Sequence, residues 1–136
     1  MKLIFPLLLF YIMVVTRAQT QQIKTPADVV QENLDFYNQR NIEGFMSSFS
    51  DTIGLYLFGQ TEPVVMGKEA VRKLYKELFD DSPKLHSTIL HRTIIGNKVI
   101  DHESIRGRKG INKAVKLVMI YEVSGDKIVR MTVIRE

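Results

Sequence analysis

Residues 85–135 read, in succession, LHSTILHRTII, GNK, VIDHESIR, GRKGINK, AVKLVMIYEV, SGDK and IVRMTVIR. Along the four longer pieces apolar and polar residues alternate, the period of a strand with one buried face, and the short pieces between them are turn-formers. The spacing predicts strands over 85–95, 99–106, 114–123 and 128–135. Connections this short join antiparallel neighbours, so the four form a meander with no helix between them.

Upstream the period changes to that of helices. Thr25-Pro26-Ala27-Asp28 combines a hydroxyl cap, a proline at the first helical position and an acid in the first turn. Val29, Val30, Leu34, Phe36 and Tyr37 then form an apolar stripe predicting a helix that ends near Arg40. A shorter helix is predicted from Asn41-Ile42-Glu43, carrying Phe45, Met46 and Phe49, and a strand over 53–58. Gly59 to Met66 reads as a loop. Gly67 opens a third helix with Val71, Leu74, Tyr75, Leu78 and Phe79 on one side, stopped by Asp80-Asp81-Ser82-Pro83. Three helices in the first half and a curved antiparallel sheet in the second is an α+β layout, and such a sheet encloses a pocket.

The 136 residues suit one domain, preceded by a different kind of segment. Lys2, the apolar run from Leu3 to Val15, and Thr16-Arg17-Ala18 have the form of a secretory signal cleaved after Ala18. The expected organisation is a signal peptide over 1–18, a polar lead over 19–24 and one domain over 25–136. Cleavage leaves no segment for stable membrane insertion and gives a secreted or periplasmic protein. It lowers the formal charge from +4 to +2, a balance that argues against a dedicated polyanion binder such as a nucleic-acid-binding protein. There is no cysteine, so packing alone holds the fold.

The order of elements, with Asn38-Gln39-Arg40-Asn41-Ile42-Glu43-Gly44-Phe45 and Phe49, Gly67-Lys68-Glu69-Ala70-Val71-Arg72 with Tyr75, Tyr121-Glu122-Val123 and Asp126-Lys127-Ile128, resembles the nuclear transport factor 2 superfamily. Within it the chain looks most like the SnoaL-like and ketosteroid-isomerase-like branch. The resemblance implies a cone of sheet and helices around an internal cavity. Matched to the ketosteroid isomerase pattern, Asn33 stands at the oxyanion-hole tyrosine, Leu57 at the general-base aspartate and Met119 at the protonated aspartic acid. None of the three carries the isomerase group, so the resemblance extends to the fold and not to that activity.

Strand alternation supplies the pocket residues. With Val99 facing inward, Asp101, Glu103 and Ile105 follow it, while Ile100, His102 and Ser104 face out. The same reasoning directs His86, Thr88, Leu90 and Arg92 inward on the preceding strand, and Leu117, Met119 and Tyr121 on the following one. Asp101, Glu103 and His86 are the candidate catalytic residues. Tyr37, Leu57, Tyr75, Arg92, Met119 and Tyr121 are the candidate ligand contacts. A structural alternative stands beside this: Asp101 and Glu103 can serve as buried partners of Arg92 with no ligand involved.

No metal or cofactor is expected. His86 and His91 are five apart on one strand, hence on opposite faces, and no phosphate loop, dinucleotide fingerprint or nucleophile elbow occurs. The basic run Arg106, Arg108, Lys109 and Lys113 reads as a solvated hairpin tip. An outer sheet face bearing Ile100, His102 and Ile120 is expected to pair two copies as a homodimer. Two functions remain open: binding of a small, largely apolar molecule, and cofactor-free acid/base catalysis of an isomerase, cyclase or dehydratase type on a small hydrophobic substrate.

Overall fold

The computed structural model describes residues 22–135; the expected signal peptide over 1–18 and the start of the expected polar lead lie outside the described residues. Helix α1 spans Pro26–Gln39, α2 Ile42–Ser47 and α3 Lys68–Asp81. The strands are β1 Phe49–Leu57, β2 Val65–Met66, β3 His86–Ile95, β4 Lys98–Arg106, β5 Val115–Ser124 and β6 Lys127–Arg135. The four strands of the meander thus begin and end within a residue or so of the predicted limits. The expected loop before α3 contains the short β2.

All six strands lie in one sheet, ordered β2-β1-β6-β5-β4-β3. The expectation of a wholly antiparallel sheet is corrected at one seam: β1 runs parallel to β6, pairing Leu55 with Met131 and Leu57 with Val133. That pairing joins the first strand to the last, and only a long-range register makes it.

Local chemistry explains how the helices start and cross. The Thr25 hydroxyl accepts the Asp28 N–H at 3.2 Å, and the Asp28 carboxylate accepts the Thr25 N–H at 2.8 Å, a reciprocal cap. Arg40 closes α1 in the left-handed conformation at φ 54°, and its guanidinium reaches the carbonyl of Leu85 at 2.9 Å. Gly44 permits the crossing of α1 and α2: a Cβ there would lie 2.3 Å from the Phe36 ring.

Tyr37, Phe45, Tyr75 and Phe79 pack edge-on or tilted between the helices, with Phe45 and Tyr75 ring centroids 4.6 Å apart. Such pairs add about 0.5–1.5 kcal/mol each beyond area burial. This aromatic layer faces Leu55, Leu117, Met119, Met131 and Val133 on the inner face of the sheet.

Candidate functional site

Between the helices and the sheet is a cavity of about 400 Å³, within the size range of small-molecule pockets. Strand β4 sets its acid. Val99, Asp101, Glu103 and Ile105 are all buried on its inner face, and His102 between the two acids is exposed outside, as alternation predicts. On β5, Leu117, Met119 and Tyr121 likewise face in.

Strand β3 departs from the expectation. The Asn38 side chain donates to the Ser87 carbonyl at 3.0 Å and accepts the Ser87 N–H at 2.8 Å, tying the edge strand to the end of α1. Ser87 therefore faces in. His86, Thr88 and Leu90, expected in the cavity, face out. His86 is exposed and pairs with Arg106, so it is removed from the candidate catalytic set. A bulge between Ile89 and His91 then reverses the parity and brings Arg92 inward opposite Asp101.

The two acids have separate surroundings. Asp101 is held by Arg92, whose Nε donates to Oδ1 at 2.7 Å and Nη2 to Oδ2 at 2.8 Å; Nη1 donates to Gln31 at 2.9 Å. Neither Asp101 nor Arg92 lines the cavity. The pair is a buried strut, the structural alternative, and neither residue stands where it could touch a ligand in this cavity. Glu103 does line it. Its Oε2 accepts from the Ser87 hydroxyl at 2.9 Å and its Oε1 from the Tyr121 hydroxyl at 3.2 Å. Burial pushes the Glu103 carboxyl above the ordinary carboxylate range; the Ser87 bond opposes the rise, and the charge of Asp101 adds to it.

Three phenols share the space. Burial raises Tyr37 and Tyr121 above the usual tyrosine range and pushes Tyr75 up to about 12, so all three remain protonated at neutral pH. The charge of Glu103 adds to each rise, while Arg108 opposes those of Tyr37 and Tyr75. Asn33, buried on α1, donates to the Phe45 carbonyl at 3.0 Å and lines the cavity beside Leu34. Leu57, an expected ligand contact, packs half-buried against the core instead, and Leu55 two residues earlier takes the cavity position.

Sequence reasoning also missed the mouth. Arg108 and Lys109 of the expected solvated hairpin tip lie on the cavity rim with Arg135. Arg135 had a signal, since it continues the inward series Met131, Val133. Arg108 had none, because an irregular loop carries it. Among the described residues no group of three or more His, Asp or Glu side chains is placed to hold a metal.

Residues 30–131 match the family model of the SnoaL-like domain. No curated protein matches by sequence. Among solved structures, a cystatin-fold protein from Novosphingobium aromaticivorans superposes with a TM-score of 0.75 at 20% identity, over 82% of this chain and 99% of that one. An NTF2-like protein of unknown function from Cytophaga hutchinsonii gives 0.69 at 16% identity, over 86% and 94%. A protein of ketosteroid-isomerase-like fold from Catenulispora acidiphila, in complex with trimethylamine, gives 0.65 at 17%, over 81% and 85%. At these identities the likeness carries the fold alone.

Proposed function

The chain belongs to the SnoaL-like domain family, and on that premise we propose that it binds a small, largely apolar molecule in the cone-shaped cavity. The observation carrying this reading is the cavity of about 400 Å³, whose wall of aromatic and aliphatic side chains also carries Glu103, Tyr121 and Asn33, with the charged residues Glu77, Asp81, Arg108, Lys109 and Arg135 in the rest of its lining. Apolar walls supply the affinity and a few convergent polar groups the orientation. A neutral naphthylamine dye tests it, since the chain has no tryptophan to obscure the emission. Saturable one-site enhancement, competed by octanol, is expected. Failure of the dye to saturate would refute the reading.

Glu103 favours a second reading, in which the bound molecule undergoes proton transfer. A buried carboxyl with a raised pKa lies closer to neutrality than an ordinary one and makes a better base once ionised. With His86 outside and Asp101 held by Arg92, Glu103 is the base, positioned by the Tyr121 hydroxyl, and the Tyr75 hydroxyl is the donor for developing negative charge. Deuterium uptake from D₂O next to the carbonyl of 2-octanone, lost in Glu103→Gln, is the result expected. Uptake unchanged by that substitution sinks it.

In the same proposal the protein is exported by the segment before Gln19 and pairs with a second copy through the outer sheet face. The leader composition supports the first. Ile100, Val118, Ile120 and Ile134, only half-buried on that face, support the second. Among the described residues no helix is long and apolar enough to cross a membrane.

A further inference from the structure

We propose that the occupant of the cavity is an amphipathic anion, with a carboxylate or sulfate head held at the mouth by Arg108 and Arg135 and an apolar tail directed to the aromatic wall. This rests on the small-molecule reading above and adds the chemistry of the head.

The argument starts from Arg108. Its loop leaves β4 and places Arg108, a half-buried residue, in the lining of the cavity. Among the described residues no acid forms an ion pair with it or with Arg135, whereas the neighbouring Lys109 has Asp81 at 3.5 Å. A partly desolvated guanidinium without a carboxylate leaves its donor fork open, and a planar oxyanion matches that fork with two parallel bonds. Arg108 lines the same cavity as Tyr37 and Tyr75, so its charge and the aromatic wall belong to one space.

Electrostatics also fix the direction of entry. The inner end holds Glu103, whose ionised form repels a second anion, while the rim carries Arg108, Lys109 and Arg135 against Glu77 and Asp81. Asp81 is engaged by Lys109, and Glu77 is exposed to water. The head therefore stays at the rim and the tail goes in, past Leu74, which forms an apolar lip 41% exposed. At about 30 Å³ per water-sized volume, the 400 Å³ space takes on the order of a dozen heavy atoms. An eight-carbon acid is of that size.

The test is calorimetric titration of the protein at low salt with octanoate, octyl sulfate, octanol and octylammonium. At least one anion should bind about tenfold or more tightly than octanol, octylammonium should bind most weakly, and the tighter of the two anions identifies the head. In the double variant Arg108→Gln, Arg135→Gln, checked for unchanged thermal unfolding, the anion preference should disappear while octanol binds as before. Octanol binding as tightly as both anions, or a preference that survives the double substitution, overturns the inference and leaves the small-molecule reading intact. If neither octanol nor either anion binds, both fall.

Discussion

Removing Arg92 should destabilise the protein strongly without emptying its cavity. The Asp101 side chain is 1% exposed and that of Arg92 19%, and the two bonds between them are 2.7 and 2.8 Å long. In Arg92→Met the methionine fills most of the volume, but both carboxylate oxygens lose a charged donor in a place water barely reaches. Breaking one side of a buried pair costs about 3–5 kcal/mol, and the partial exposure of Arg92 argues for the lower half of that range. For a domain of this size each kcal/mol lowers Tm by about 4 °C, so a fall of roughly 12 °C or more is expected in a thermal melt followed by circular dichroism. The double variant Arg92→Met, Asp101→Leu removes the stranded charge and should recover most of the loss, since apolar replacement of a whole buried pair is close to neutral. The dye should still bind folded Arg92→Met, because neither residue lines the cavity. A single variant melting with the wild type, or a double variant no better than the single, would refute the reasoning.

Glu103→Gln should change how stability depends on pH. Because the folded-state carboxyl titrates above its ordinary value, its contribution is fully present below the unfolded value near 4.5 and is lost as pH rises through the folded one. Urea midpoints of the variant should gain on the wild type from pH 5 to pH 8, and parallel curves would count against a buried acid. Gly107→Ala should cost on the order of 3 kcal/mol, since at φ 80° its Cβ would sit 2.0 Å from the Lys84 carbonyl oxygen. Gly110→Ala, at φ 76° with open space around it, should cost about 1–2 kcal/mol, and equal losses in urea titrations would contradict the packing described. Ile120→Lys places a charge in the middle of the outer sheet face and should convert a sedimenting dimer into a monomer; a wild type already monomeric at micromolar concentration ends that proposal.

What could be read from the sequence follows from where the backbone stays regular. Strands β4 and β5 pair without interruption, so two-residue alternation placed Asp101, Glu103, Met119 and Tyr121 on the inner face and His102 outside. Strand β3 has one extra residue at its centre, and nothing local in Ile89-Leu90-His91 marks it. Counting through that bulge assigned Arg92 to the right face and His86, Thr88 and Leu90 to the wrong one. Ser87 was passed over for the same reason: its inward position is enforced by Asn38, forty-nine residues earlier in the chain. The parallel seam of β1 with β6 is likewise a long-range choice. The division of labour between the two acids depended on side-chain reach. Only the geometry distinguishes Asp101, paired to Arg92, from Glu103, which shares the cavity with three phenols.

The grip of Asn38 on Ser87 has a kinetic corollary. Strand β3 is the outer edge of the sheet, where amides that point away from β4 meet solvent and lose their protons to exchange quickly. The Ser87 amide points the same way but is capped by a helix side chain. Its exchange clock therefore runs at the rate at which the end of α1 lifts from the sheet, while its edge neighbours keep solvent time. A single slow resonance in an otherwise fast edge would time the breathing of the wall that closes the cavity, and any ligand that fastens that wall would slow it further.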